Sequence, residues 1–203
     1  CQRNIASIIK RRPFALMGFQ ELFRSKVAPV LTSTINSAHP HMQYHVTHRK
    51  HGRSENAVMV YAGSVFTPVG GLFEASRFVT PGVAAYYPLR ILLAQKLRVR
   101  ASGKTFVFVV AHFEHGFSPI HVQRALSAVA HTMSAGELVC CCDANMTFPS
   151  RRLGRYTVLN KHASCCVGTR HRVNFDQIIT TNGIRSLSMD IGSRQSSDIW
   201  RGS

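Results

Sequence analysis

The sequence predicts an α/β fold, organised as a single domain over residues 1–203. Three observations point there. Leu138–Cys142 is an unbroken apolar run of strand length, and such a run reads as a strand buried on both faces. Residues 119–134 repeat apolar positions at helical spacing behind Ser118 and Pro119, which suit the N-cap and first helical positions. A chain of 203 residues is long enough for a hydrophobic core of its own.

Taken in order, residues 4–12 place Ile5, Ile8 and Ile9 at helical spacing, with basic residues at the C-terminal end where the helix dipole favours them, and Pro13 ends that helix. Residues 14–19 read as a short buried strand ending in Gln20-Glu21. Leu22, Phe23, Val27, Val30 and Leu31 predict a second amphipathic helix up to about Ile35. The stretch 39–51 holds five of the eleven histidines, at 39, 41, 45, 48 and 51. Their spacing matches neither one helix face nor a ligand motif, so it reads as a polar loop flanking a short strand, Tyr44 to Thr47. Ala57–Tyr61 is the next strand, followed by a Gly- and Pro-containing connection through residue 88. Leu89–Arg100 and Thr105–Ala111 are strands joined by Ala-Ser-Gly-Lys, a hairpin signal. After the helix and the strand at 138–142 comes a basic loop over 149–172, then a strand from Val173 to Thr180 carrying Asp176. The chain closes on Ser196-Ser197-Asp198-Ile199-Trp200, with no internal repeat and no low-complexity linker.

Twenty-five Lys and Arg against nine Asp and Glu give a net charge of +16 and a pI near 10.5. Such a field draws polyanions, above all nucleic acid, through counterion release. A basic compartment, such as the mitochondrial matrix or a ribonucleoprotein particle, is the other source of that composition, and either way RNA or DNA is the expected neighbour. No run approaches the roughly 18 apolar residues of a membrane span. The chain opens on Cys1 rather than Met, with no leader of the secretory type, so a preceding segment is expected. The six cysteines are Cys1, Cys140 to Cys142, Cys165 and Cys166. Adjacent strand residues point apart, which does not suit disulfides, so these read as reduced apolar filling in an intracellular protein, of the matrix or the nucleus. A zinc site from Cys165, Cys166, His162 and His171 is the alternative for the second pair, though the C-x-x-C spacing is absent.

Polar residues stand at four strand ends where burial should exclude them: Gln20-Glu21, His112, Asp143 with Asn145, and Asp176. Only nine acids exist in the chain, and three of them are here. Asp143 and Asn145, two apart on an extended segment, are expected on one face, where a carboxylate and an amide can hold a phosphate and its attacking water. The plainer reading of Asp-x-Asn is a strand followed by an Asx-type turn.

In this order the pieces resemble the endonuclease/exonuclease/phosphatase superfamily, which includes pancreatic deoxyribonuclease, abasic-site endonucleases, deadenylases and sphingomyelinases. The family pattern is a strand ending in Q-E, then T-H-L, G-D-x-N, I-D-x-I and a final S-D-H. Here stand Phe19-Gln20-Glu21, Ala111-His112-Phe113, Cys142-Asp143-Ala144-Asn145, Phe175-Asp176-Gln177-Ile178 and Ser197-Asp198-Ile199. Arg90 and Glu114-His115 also resemble one branch of the family. The resemblance implies a four-layer α/β sandwich of two packed mixed sheets flanked by helices, here incomplete at both ends. Its first strand, before residue 4, and its last, after S-D-H, have no counterpart, so another chain covers the gap or the sequence belongs to a longer one.

The resemblance also implies roles. Glu21 would ligate Mg²⁺ or Mn²⁺. Asp143 would orient or activate the attacking water, Asn145 would hold the scissile phosphate, and His112 would donate to a phosphate oxygen. Asp176 would support the metal or phosphate site, and Asp198 would orient the histidine of S-D-H, whose place Ile199 takes. Arg151, Arg152, Arg155, Lys161, Arg170 and Arg172 are the expected nucleic-acid contacts. The expected function is a Mg²⁺-dependent phosphodiesterase or nuclease acting on RNA or DNA. The alternative is a catalytically inactive, basic RNA-binding component of a ribonucleoprotein such as a mitochondrial ribosome. A lipid or inositol phosphatase would need membrane or headgroup features that the sequence does not display.

Overall fold

A computed structural model describes residues 10, 13–20, 27–51, 55–75, 90–159 and 175–181. Its strands are β1 (Leu16–Phe19), β2 (Tyr44–His51), β3 (Glu55–Ala62), β4 (Phe66–Glu74), β5 (Leu92–Val99), β6 (Thr105–His112), β7 (Leu138–Asp143), β8 (Arg152–Leu153), β9 (Tyr156–Val158) and β10 (Asp176–Thr181). The helices are α1 (Val27–Ala38) and α2 (Pro119–Thr132), with a 3₁₀ turn at Pro40–Met42. The strands form a three-stranded sheet, β1-β3-β2, and a seven-stranded sheet, β4-β5-β6-β7-β10-β9-β8. The small sheet is antiparallel; the large one is mixed, because β6 and β7 run parallel across the α2 crossover.

The period of two in each core strand divides its residues between two apolar layers. On β6, Phe106, Phe108 and Val110 face the small sheet, where they meet Ala57, Met59 and Tyr61 of β3. Val107, Val109 and Ala111 point the other way, into Val122, Leu126 and Val129 of α2. Beyond the small sheet, Met17, Val58 and Val60 pack on Leu31 and Ile35 of α1. The order is therefore helix, sheet, sheet, helix, a four-layer sandwich.

One contact sets how closely the sheets meet. Gly18 of β1 lies over the large sheet, and a Cβ there would stand 2.7 Å from Cys141 Cβ and 3.0 Å from Val110 Cγ2. Only glycine lets the two backbones approach so near.

Several elements differ from the sequence expectation. The connection after Tyr61 contains a full strand, β4, which pairs with β5 and carries a bulge between Val69 and Phe73 around Gly70-Gly71. Pro68 and those glycines disguise it, and both are tolerated because β4 is an edge. The histidine-rich stretch is mostly strand: β2 pairs with β3 along its whole length, since a ladder partner outweighs side-chain polarity on an exposed edge. The basic stretch is not all loop either, as β8 and β9 form a hairpin through it. The strand after Leu89 spans only Leu92–Val99, and the last strand begins at Asp176. The helix expected at 4–12, apart from residue 10, lies outside the described residues, as do residues 22–26 of the second helix and the cysteine pair at 165–166 with His162 and His171. Among the described residues no helix is long and apolar enough to cross a membrane.

Candidate active site at the ends of β6, β7 and β10

Register alone brings the first three polar groups together. His112 is paired with Asp143 across β6 and β7, and Asp143 with Asp176 across β7 and β10. Each follows, by the period of two, residues that face the small sheet: Val110 on β6, Cys141 on β7 and, in the opposite direction, Ile178 on β10. The three side chains therefore form one row across adjacent strands, about 5 Å from strand to strand. His112 is buried, while Asp143 keeps 15% of its side chain exposed, and His112 Nε2 lies 3.7 Å from Asp143 Oδ2.

Asn145 reaches the row by a turn, not by strand alternation. β7 ends at Asp143, and Asn145 has φ +50°, a left-handed conformation that asparagine tolerates better than most residues. Its N–H donates to Asp143 Oδ1 at 2.9 Å, an Asx turn. Its amide nitrogen donates to the Phe113 carbonyl at 2.8 Å and lies 2.9 Å from His112 Nε2. The plain turn and the placement at the site are thus the same structure, and the expectation that Asp143 and Asn145 share an extended face is corrected.

Arg90 closes the far side of the imidazole. Its Nη1 lies 3.0 Å from His112 Nδ1, and its Nε is 3.7 Å from Oε2 of buried Glu114. The guanidinium and the Asn145 amide nitrogen can both only donate, so the two ring nitrogens of His112 each face a donor. Gln20, directly after β1, donates from Nε2 to the Cys141 carbonyl at 3.1 Å, which brings the end of β1 to this strand end. The sequence signal for that approach is Gly18, a glycine inside an apolar strand.

Beneath the row the thiols of Cys140, Cys141 and Cys142 are free. Burial, and behind it the neighbouring Cys142, pushes the Cys141 thiol up to about 12. Cys142 is also raised well above its ordinary value, by its hydrogen bond with Cys140, by burial and by the negative potential of Cys140, Asp143 and Asp176. Cys141 and Cys142 are therefore held towards the neutral thiol.

No family model matches the chain, and no curated protein matches it in sequence. Solved structures do match. An endonuclease/exonuclease/phosphatase family protein from Bacteroides thetaiotaomicron superposes with a TM-score of 0.66 at 16% identity, over 89% of this chain and 74% of its own. ANGEL2, a 2′,3′-cyclic phosphatase in complex with adenosine-2′,3′-vanadate, gives 0.65 at 13%, over 89% and 74%. D. rerio TDP2, complexed with a single-strand DNA product, gives 0.61 at 13%, over 89% and 76%. The chain has the endonuclease/exonuclease/phosphatase fold.

Within this fold, His112, Asp143, Asn145 and Asp176 share one strand end. Glu21, Asp198 and Ile199 lie outside the described residues, as do Lys161, Arg170 and Arg172. Among the described residues no three His, Cys, Asp or Glu side chains converge to hold a metal. Asp143 and Asp176 are oxygen donors of the kind a hard cation takes, but Asp143 Oδ1 is already engaged by the Asn145 N–H. The described residues alone therefore do not make a divalent-cation site.

The described arginines of the basic stretch lie along the outer edge of the large sheet. Arg151, Arg152 and Arg155 are all exposed. Arg155 is tethered: its Nη2 donates to the Gly136 carbonyl at 2.6 Å, and its guanidinium lies 5.5 Å from the Tyr156 ring centroid. Gly136 precedes the first residue of β7, and Tyr156 pairs with Thr181 at the end of β10 away from Asp176. Arg155 therefore occupies the opposite end of the sheet from His112.

Proposed function

We propose that the chain is a metal-dependent phosphodiesterase of nuclease type acting on RNA or DNA. The observation that carries this reading is the row His112–Asp143–Asp176, held by Asn145 and Arg90 at one end of the sheet in this fold. In it His112 donates a hydrogen bond to a phosphate oxygen and stabilises the charge that builds there. Asp143 orients the attacking water, Asn145 holds the phosphate against that pair, and Asp176 supports the far side. Glu21 would join these carboxylates in holding Mg²⁺ or Mn²⁺, which would polarise the phosphate. The +16 charge favours a polyanionic substrate, RNA above all, and two structural neighbours carry nucleic-acid chemistry in their names or ligands.

A second reading has its own observation. Ile199 stands where S-D-H has histidine, and isoleucine can neither take nor give a proton. A catalytically inactive, basic RNA-binding component of a ribonucleoprotein, in the mitochondrial matrix or the nucleus, would tolerate that change. The test is hydrolysis of single-stranded RNA, single-stranded DNA and abasic duplex with Mg²⁺, by the native protein and Asp143→Ala. Cleavage by the native protein that the variant loses supports the enzyme. No cleavage by either, with tight nucleic-acid binding by both, leaves the non-catalytic component.

A further inference from the structure

The rim of this strand end carries rings that the proposed chemistry does not use. His115 stands three residues past His112, and Phe175 immediately precedes Asp176. Their ring centroids are 6.5 Å apart, with planes at 71°. One leaves β6 and the other enters β10, the two neighbours of β7, so the pair bridges the end of β7. There the Phe175 carbonyl accepts the Ala144 N–H at 2.8 Å, one residue beyond Asp143. His115 is exposed and Phe175 half-buried, so a solvent-facing ring rests on a more enclosed one. A second pair lies on the α2 side of the sheet: the rings of Phe117 and His121 are 5.2 Å apart, and Phe117 is 6.3 Å from buried Phe113.

An exposed ring seated beside a row of phosphate-type residues has one obvious complement. Every nucleobase has a π face, whereas a sugar phosphate or a lipid headgroup has none. We propose that His115, supported by Phe175, is a stacking platform for the base of the nucleotide adjoining the phosphate at His112–Asp143. This inference rests on reading that row as a phosphate site, and it narrows the substrate to a single strand or a strand end, where a base is free to leave its own stack.

The experiment is binding of the full chain, without divalent cation, to a short single-stranded oligonucleotide carrying 2-aminopurine, whose fluorescence is quenched on stacking. The native protein should quench it. His115→Ala should weaken binding about tenfold and abolish the quenching, and His115→Trp should restore both. Phe175→Leu should act in the same direction more weakly. An oligonucleotide with the base removed at that position should bind native protein and His115→Ala alike. Unchanged affinity and quenching in His115→Ala, or rescue by His115→Lys but not by His115→Trp, would overturn the platform, the second result leaving charge alone. If the native protein cleaves and His115→Ala binds and cleaves equally well, the platform fails and the nuclease reading stands. If neither cleaves but quenching follows the substitutions, the nuclease chemistry fails and the platform stands.

Discussion

The strand end at β6, β7 and β10 and the outer edge at β8 and β9 belong to one sheet, yet they hold their polar groups in opposite ways. At the strand end His112 is enclosed by Arg90, Asn145 and Asp143 within 3.7 Å. At the edge Arg151 and Arg152 extend into solvent, and Arg155 is tied to the far end of the sheet. Preorganised groups in low dielectric are suited to act on charge as it moves, while screened surface cations mainly raise the local concentration of a polyanion. The two regions should therefore separate cleanly under mutation: one should control turnover, the other encounter.

The largest effect should come from the strand end. Asp143→Ala and His112→Ala are each expected to reduce turnover by about 10²–10⁴-fold, with the salt dependence of nucleic-acid binding unchanged. Steady-state hydrolysis beside a salt titration of affinity checks this, and a parallel decline of both would dissolve the distinction between the regions.

Next comes the notch that lets the small sheet reach the site. Gly18→Ala places a Cβ 2.7 Å from Cys141 Cβ, and relieving that overlap should cost about 1–3 kcal/mol. Urea unfolding gives the stability, and the same variant should lose activity through the displaced end of β1. Full stability would show that the sheets can part there freely.

The thiols beneath the carboxylates predict a pH dependence confined to the strand end. Cys141 is neutral in the folded state up to about 12, whereas the unfolded thiol ionises from about 9. The unfolded chain thus binds fewer protons, and stability falls as pH rises from 9 towards 12, by up to about 1.4 kcal/mol per pH unit for each such thiol. Denaturation at pH 8, 9 and 10 should show this slope, and Cys141→Ala should reduce it, leaving the share of Cys142.

The smallest effect belongs to the edge. Arg151→Glu with Arg152→Glu should weaken nucleic-acid binding and lower its salt slope by about 0.7 for each single-strand phosphate that is no longer neutralised, leaving turnover at saturation as it was. Arg155→Glu should do less, because its guanidinium is held at the other end of the sheet. Equal effects from all three would mean that the bound strand runs along the whole edge.

What the sequence discloses follows from how local each feature is. The apolar period of β6, β7 and α2 is carried within each segment, so these elements and the order of Gln20, His112, Asp143 and Asp176 are readable. The four layers come through resemblance, from motifs at strand ends. β4 is hidden because Pro68 and Gly70-Gly71 resemble a loop until β5 supplies a partner. The length of β2 is hidden because its ladder lies on β3, not in its own composition. Asn145 sits in the expected neighbourhood for a different reason from strand alternation, since its backbone turns left-handed immediately after the strand. The link between Arg90 and Glu114 spans two separate segments, and no spacing in the sequence encodes it.

The run Cys140-Cys141-Cys142 has a consequence for how the chain finds this arrangement. Three identical residues give a pairing strand no side-chain alphabet from which to count, so a one-residue slip of β7 would exchange like for like. It would also turn Asp143 away from His112. What counts positions instead is outside the run: Gly18 admits the backbone only opposite Cys141, Gln20 takes that residue's carbonyl, and Thr181 Oγ1 accepts the Leu138 N–H at 3.2 Å. These contacts act as a ruler laid across a featureless strand. Correct pairing of the central strand is thus proofread by its neighbours, and a misaligned intermediate would be recognisable by an intact core with its acids on the wrong face.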